Sequence, residues 1–295
     1  MHLRIAVFFL VTLPLLAGVD LQRASVAALH RDPTVSVAVG GHDPFLDTGE
    51  VSPDSPVYFG GLFNARATEP GELFLRSSNG IDFYFEGPGF FGIDRFDQSF
   101  IRKADSGVLV PEQSRLILNL REGILLVDSR GVSSEAQLML ELPFGRVSAP
   151  RGLWSISVEY DFRSQRYDFT IASAEGVLRM TDQQGEIYTL YPGQRLVGAG
   201  AYDDPGVEIA EPTSDTRERF EAFRLRREAL GAANLDETEF RKKMLDIPDA
   251  VDRSRLEGKR SGERPQIIEL APAPKPLSFF RGVIPEGDSA ETVDF

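Results

Sequence analysis

Apolar and polar residues alternate through the middle of the chain, in short runs that turn residues separate. The leucines of 116–120 and of 138–142 occupy every second position, with other residues between them. A period of two places the apolar side chains on one face of a strand. Turn residues follow such runs roughly every 8–12 residues, which is typical of all-β folds. The stretch from Pro56 to Gly200 therefore predicts an all-β domain, built as a sandwich, a barrel or a solenoid.

The clearest single element is a hairpin over Glu72–Glu86. Alternating runs flank Asn79-Gly80, a dipeptide that tolerates the positive φ of a tight turn. Beyond the hairpin, Gly87-Pro88-Gly89 predicts a break in the chain, and Gly123 predicts a turn between two further strands. No helix of three turns fits this block, so the domain is expected to consist of strands joined by turns.

The start of the chain has the pattern of a secretory signal peptide, because Arg4 precedes an apolar run from Ile5 to Val19. This run is shorter than the roughly 20 residues of a spanning helix. Small residues place a cleavage site after Ala27, so residues 1–27 are the expected leader. Residues 28–55 then form a flexible lead-in with one strand near 35–39. An uncleaved membrane anchor is the alternative interpretation of the apolar run.

The pattern changes after Gly200. Residues 201–212 predict a linker, and residues 213–251 predict a helical segment. Asp215, with Glu218 three residues later, predicts the N-cap of a first helix, and Asp236 predicts the cap of a second. The charged and proline-rich stretch 252–295 predicts a disordered tail. Four side chains are spaced as one stripe of the first helix: Phe220, Phe223, Arg227 and Leu230.

Composition removes most familiar classes of enzyme. The 295 residues include no cysteine and only three histidines, His2, His30 and His42. Disulfides, thiol catalysis and cysteine-ligated metals are excluded, and catalytic triads and multi-histidine metal sites are disfavoured. The net charge of −13 disfavours nucleic acid as a partner. We expect no cofactor and no metal, and an exported chain without cysteine indicates the bacterial periplasm.

Carboxylate pairs are the one enzyme chemistry left open, and the candidates near aromatic residues are Asp82, Glu86 and Asp94. Asp82 and Glu86 share a strand face with Tyr84. At about 3.3 Å per residue they lie roughly 13 Å apart, which is too far for a glycosidase pair within one strand. A solvated sheet face is the simpler interpretation, and we expect no enzymatic activity.

Four aromatic side chains are the candidates for partner binding: Phe83, Tyr84, Phe85 and Trp154. An aromatic strand at a sheet edge can hold a partner polypeptide by main-chain pairing. Trp154 is the single tryptophan and could stack on a sugar. Packing in the core is the competing interpretation for all four.

Several glycine-containing units occur in an order that resembles the FecR-like domain, an all-β periplasmic module of bacterial signalling and envelope proteins. Gly71–Leu75 followed by Asn79-Gly80-Ile81 resembles its strand, turn and strand unit. Arg151–Ile156 resembles its central Arg-Gly-Thr and aromatic strand, although Leu153 stands where the family usually has Thr. Tyr191–Leu196 resembles its closing Gly-Gln turn. Further matching stretches are Phe85–Ile93, Leu118–Gly123, Phe144–Ser148 and Ala174–Leu178.

The resemblance covers about half of the chain. It implies an all-β fold, a periplasmic location and no catalysis. We therefore expect a non-enzymatic exported envelope protein, whose FecR-like β domain over 56–200 serves as a protein-binding, signalling or scaffold module for other envelope proteins. Two alternatives stay open. One is a polysaccharide-binding protein or a carboxylate-dependent glycan hydrolase, and the other is a structural component of the cell surface or matrix.

Overall fold

Sixteen strands and one helix make up the part of the chain that this computed structural model describes, namely residues 22–39, 43–46, 49–60, 62–102, 109–149, 151–201 and 206–230. In chain order, they are β1 (Gln22–Arg23), β2 (Ser25–Arg31), β3 (Val35–Ala38), β4 (Val57–Gly60), β5 (Phe63–Ala67), β6 (Glu72–Ser77), β7 (Asp82–Arg102), β8 (Leu109–Asp128), β9 (Glu135–Leu142), β10 (Gly145–Ser148), β11 (Leu153–Asp161), β12 (Arg166–Glu175), β13 (Leu178–Asp182), β14 (Ile187–Leu190), β15 (Gln194–Gly200), β16 (Val207–Ala210) and α1 (Ser214–Ala229).

The long antiparallel hairpin of β7 and β8 joins two layers of strands. The pairing register shifts between Glu86 and Phe90, opposite Gly123, and the two ends of the hairpin have different neighbours. One end, 82–86 with 124–128, lies between β6 and β11. The other end pairs with β5 and β1 on one side and, in a parallel arrangement, with β9 on the other.

We name the two layers by their position relative to the helix. The helix-side layer contains β4, β2, β6, the first end of the β7–β8 hairpin, β11, β12, β15 and β16. The open layer contains β3, β5, the other end of the hairpin, β9, β10, β13 and β14. Main-chain hydrogen bonds connect all of these strands into one continuous sheet that folds over on itself.

The core lies between the two layers and is built by the predicted alternation. Leu138, Leu140 and Leu142 of β9 are buried while the residues between them are not. Phe144, in the turn between β9 and β10, stacks on Phe169 of β12, with ring centroids 3.7 Å apart, so side chains of the open layer meet those of the helix-side layer. The prediction of an all-β fold followed by a short helix is confirmed, and the facing layers agree with the sandwich alternative.

The hairpin around Asn79-Gly80 forms as predicted, with Leu75 opposite Phe83 and with Gly80 at a φ of +87°. The predicted break at Gly87-Pro88-Gly89 and the predicted turn at Gly123 do not occur. At these positions β7 and β8 bend and then continue, because each strand keeps the other as its partner on both sides of the bend.

The start of the folded region differs from the prediction. Residues 28–55 were expected to be a flexible lead-in, but β2 begins at Ser25 and lies between β4 and β6. Val26 and Ala27 are fully buried there. Cleavage after Ala27 would therefore cut a strand in the interior of the helix-side layer. The strand predicted near 35–39 is present as β3, Val35–Ala38.

Two corrections concern the region after Gly200. The predicted linker 201–212 includes β16, which pairs with β15 and extends the helix-side layer. The N-cap of α1 is Thr213, whose Oγ1 accepts a hydrogen bond from the backbone N–H of Thr216, and Asp215 lies in the first turn. The second predicted helix, from Asp236, and the predicted tail 252–295 lie outside the described residues. In the described part of the chain, no helix has the length and apolar character needed to cross a membrane.

Candidate helix-binding face

The outer face of the helix-side layer carries the candidate binding surface, and α1 lies across it. Strand alternation turns one set of side chains of β2, β6, β7 and β8 away from the core and toward α1. We call this set the docking face. It comprises Ala27, Leu29, Glu72, Phe74, Asp82, Tyr84, Leu126 and Asp128.

The apolar contact of α1 depends mainly on Phe223. Its side chain is 3% exposed and lies against Phe74 and Tyr84, with ring centroids 6.0 and 6.1 Å apart. Together with Ala27, Leu29 and Leu126 these residues form a cluster that is separate from the main core. Phe220 and Leu230 pack at its margin. Burial of one phenylalanine side chain stabilises a contact by about 2–3 kcal/mol, so the apolar hold on α1 is modest.

Two aspartates lie side by side in the docking face. Asp82 and Asp128 are direct cross-strand partners on β7 and β8, and their side chains are 1% and 6% exposed. Each accepts two hydrogen bonds from an arginine of the sheet or of its adjoining turn. Arg76 donates to Asp82 through Nε (2.6 Å) and Nη2 (2.9 Å), and Arg130 donates to Asp128 through Nε (2.9 Å) and Nη2 (2.8 Å). The β domain thus neutralises this buried acidic pair by itself.

Arg227 of α1 adds a third guanidinium, which bridges the two aspartates. Its Nε donates to Asp82 Oδ2 at 2.6 Å, and its Nη1 lies 3.2 Å from Asp128 Oδ2. Burial by itself would raise the pKa of Asp128, but the hydrogen bonds from Arg130 and the nearby charge of Arg227 outweigh burial and hold that pKa below its usual range. The oxygens of the pair are therefore engaged by arginines, and neither of these two carboxylates is poised as a general acid.

A second charged contact lies one position earlier on the helix. Arg226 Nη2 donates to Glu72 Oε2 at 2.7 Å and lies 2.9 Å from His30 Nε2. Tyr84 also hydrogen-bonds to Glu72, and burial together with that carboxylate raises the pKa of Tyr84 above its usual range. The contact joins the C-terminal end of α1, where cations are favoured by the helix dipole, to the strand edge of the docking face.

The N-terminal half of α1 covers a more polar part of the same layer. A cleft of about 190 Å³ lies there, between the first turns of the helix and β11, β12 and β15. Ser155, Ser157 and Thr170 line its floor, and Thr213 and Arg219 line the helix side. Small-molecule sites usually have several hundred cubic ångströms, so this cleft is small for an organic ligand. Among the residues that the structure describes, no three acidic or histidine side chains cluster so that they could hold a metal ion.

The structure distributes the predicted partner-binding residues over two faces of the same layer. Phe83, Phe85 and Trp154 point into the core and have no exposed surface, so a partner has no access to them in this fold. Tyr84 points the other way, into the docking face beneath Phe223. Only Tyr84 of the four belongs to a candidate binding surface.

Two of the candidate carboxylates, Asp82 and Asp94, have separate hydrogen-bond partners. Asp82 belongs to the arginine cluster, whereas Asp94 lies beyond the bend of β7 and accepts a hydrogen bond from Asn119 Nδ2 at 2.6 Å. Burial raises the pKa of Asp94. Sequence reasoning missed Arg76, Asp128 and the bridging role of Arg227. The available signal was the presence of Arg227 inside the apolar stripe of the helix, because a charged residue there needs a partner on the surface that the stripe covers.

Comparisons with known proteins assign no family. No family model matches the chain, and no curated protein matches it. Two crystal structures, at 2.50 and 1.65 Å resolution, of a protein described as a putative anti-sigma factor from Parabacteroides distasonis ATCC 8503 overlap with it at a TM-score of 0.32 and 8% sequence identity. Each overlap covers 48% of this chain and 55% of that chain, so the chain spans about half the length of its structural neighbour.

Proposed function

We propose that the protein is a non-enzymatic exported envelope protein whose β domain binds other proteins, and that the docking face is the surface it uses. This surface combines an aromatic patch with buried acidic groups, which is a combination that recognises helical segments carrying aromatic and arginine side chains. The resemblance to the FecR-like domain stays a prediction that is compatible with this proposal.

One observation carries the proposal: the docking face holds a helix, and its buried aspartate pair is neutralised without that helix. Arg76 and Arg130 each satisfy one aspartate of the buried pair from within the β domain. A buried carboxylate without such a partner would destabilise the sheet strongly. Because the partners are supplied locally, the sheet can keep its structure whether or not α1 is seated. A preformed surface of this kind supports binding of a polypeptide more than catalysis.

The experiment is an affinity capture with the full chain. Phe223→Ala combined with Arg227→Gln weakens the hold on α1 and uncovers the docking face, and Leu225→Ala is the matched control, because Leu225 is 51% exposed on the same helix. Each chain is incubated with a cell-envelope extract, the retained proteins are identified, and binding is repeated with the purified candidate. We expect a defined protein that the double variant retains more strongly than the control. Equal retention by both chains, or retention of glycan alone, would contradict the proposal.

A further inference from the structure

We infer that the partner of the docking face is an amphipathic helix with the pattern Phe-x-x-Arg-Arg, and that α1 is the resident competitor which this helix displaces. The inference rests on the proposed function and specifies the chemical class of its partner. Phe223, Arg226 and Arg227 are the residues of α1 that carry this pattern. Positions i, i+3 and i+4 lie on one face of a helix, so the three side chains reach the sheet together.

The docking face matches these three side chains with three separate receptors. The aromatic patch of Phe74 and Tyr84 receives Phe223, and Glu72 receives Arg226. The aspartate pair receives Arg227. In the last contact a single side chain reaches two carboxylates on neighbouring strands through two different nitrogens. A planar guanidinium has the nitrogens for this arrangement, whereas a lysine ammonium is a single point charge.

Two further arginines of α1 pair within the helix and not with the sheet. Arg224 pairs with Glu221 and Glu228, and Arg219 pairs with Asp215, so these charges are satisfied within the helix. Leu225 faces solvent. The buried side chains of α1 are those of Thr216 and Phe223. An isolated helix of this length is marginal in water, so α1 depends on a small number of contacts that a competing helix can replace.

Charge also favours a basic partner over a neutral one. Asp32 lies beside His30 at the edge of the face, with Oδ1 3.1 Å from Nε2, and Glu72 lies 3.9 Å from the same nitrogen. Arg226 is the arginine that reaches this group. Displacing α1 therefore removes two positive charges from an acidic surface, and an incoming helix restores the balance when it carries two arginines of its own.

The test uses a labelled synthetic peptide with the sequence of residues 213–230 as the probe. It is titrated into the unchanged full chain and into the full chain carrying Phe223→Ala and Arg227→Gln, with fluorescence anisotropy as the readout. We expect the double variant to bind the peptide at least about tenfold more tightly than the unchanged chain, because its own helix no longer competes. A peptide with Arg227→Lys should bind the double variant about tenfold more weakly, and a peptide with Leu225→Ala should bind like the original.

Three results would overturn the inference. The first is a double variant that keeps the β-sheet circular dichroism of the unchanged chain and yet does not bind the peptide. The second is an Arg227→Lys peptide that binds the double variant as tightly as the original peptide, which would show that the docking face does not distinguish a guanidinium from an ammonium group. The third is a concentration-dependent dimer of the unchanged chain that Arg227→Gln abolishes, which would make the occupant the α1 of a second copy. If the envelope capture retains a defined protein but the peptide does not bind, the proposed protein binding is supported and the helical Phe-x-x-Arg-Arg partner is rejected.

Discussion

Asp82 shows how a charged side chain can lie inside this sheet without destabilising it. Both of its oxygens accept hydrogen bonds from Arg76, and Oδ2 also accepts one from Arg227. The carboxylate thus exchanges its water for donors on two elements, a strand and the helix. Burial of an ion pair is nearly neutral when its partners are complete, but removal of one partner leaves an unbalanced buried charge.

Replacement of Asp82 by Asn should therefore be costly. The amide keeps the shape of the side chain, but the positive charges of Arg76 and Arg227 then face each other without the intervening carboxylate. We expect the free energy of unfolding to fall by about 3 kcal/mol, measured by urea denaturation. Glu135→Gln is the control, because Glu135 is exposed at the start of β9 and should change stability by less than about 0.5 kcal/mol. Equal effects of the two substitutions would contradict this account.

Tyr84 should make stability sensitive to alkaline pH. Its pKa is raised in the folded state, so the unfolded chain releases this proton at a lower pH, near 10. The contribution is complete below that pH and is lost as pH rises above it, at a slope of up to about 1.4 kcal/mol per pH unit. In Tyr84→Phe, the loss of unfolding free energy that Tyr84 causes above pH 10 should disappear. Urea denaturation from pH 8 to 11 would show this. Tyr191→Phe, at an exposed position, should keep the slope of the unchanged chain.

At the scale of the element, α1 and the β7–β8 hairpin differ in how firmly they are held. The hairpin lies in the interior of both layers and pairs along nearly its full length. The helix has solvent on one side and the docking face on the other. Because Arg76 and Arg130 neutralise the buried aspartates without α1, we expect the helix to open locally while the sheet stays folded.

Hydrogen exchange should reveal this difference. In Phe223→Ala the amides of α1 should lose most of their protection, while those of β7 and β8 keep theirs. A core Phe→Ala substitution usually lowers the free energy of unfolding by about 3–5 kcal/mol. Here the loss cannot exceed the free energy by which α1 binds to the sheet. Leu225→Ala should leave the protection of α1 close to that of the unchanged chain. Loss of protection throughout the sheet of Phe223→Ala would show that α1 is an integral part of the fold.

The bend of the hairpin depends on Gly89. Its φ is +154°, and a Cβ atom at this position would lie 2.0 Å from the carbonyl oxygen of Glu122 on β8. Gly89→Ala should therefore force the two strands apart and destabilise the fold by about 3 kcal/mol or more in urea denaturation. Gly131→Ala is the matched control, because open space surrounds that position, and its effect should stay within about 0.5 kcal/mol. A mild effect of Gly89→Ala would mean that the bend tolerates a side chain.

The elements that could be predicted are those specified by local sequence. Asn79-Gly80 determines a hairpin through its own backbone preferences, and the leucines of β9 identify its buried face. The continuity of β7 through Gly87-Pro88-Gly89 depends on β8, a distant partner that supplies hydrogen bonds on both sides of the bend. The docking face has the same origin, because Glu72, Asp82, Asp128 and Arg227 are brought together only by strand pairing and helix placement. Pattern analysis within a short window contains no such information.

At the scale of the whole molecule, the helix-side layer depends on residues at the end of the predicted leader, 1–27. Strand β2 joins β4 to β6, and Ala27 contributes to the cluster under α1 while Val26 and Ala28 face the core. A leader removed after Ala27 would take three of these strand residues with it, from Ser25 to Ala27. If the chain is exported by the predicted route, a cut that keeps both β1 and β2 in this sheet lies before Gln22.

A comparison of two shortened chains tests this boundary. A chain that begins at Gln22 keeps β1 and β2 and should unfold at the same temperature as the full chain. A chain that begins at Ala28 loses the buried side chains of Ala24, Val26 and Ala27. It also loses the pairing of Ser25–Ala27 to β4 and β6, and the two losses together amount to several kcal/mol. We expect its thermal midpoint to fall by about 10 °C or more, or its unfolding to lose cooperativity. The shortened chain should also hold α1 less well, since Ala27 belongs to the docking face. Equal midpoints would instead show that β4 and β6 stay in place without the first half of β2, and the cleavage predicted after Ala27 would then be compatible with the fold.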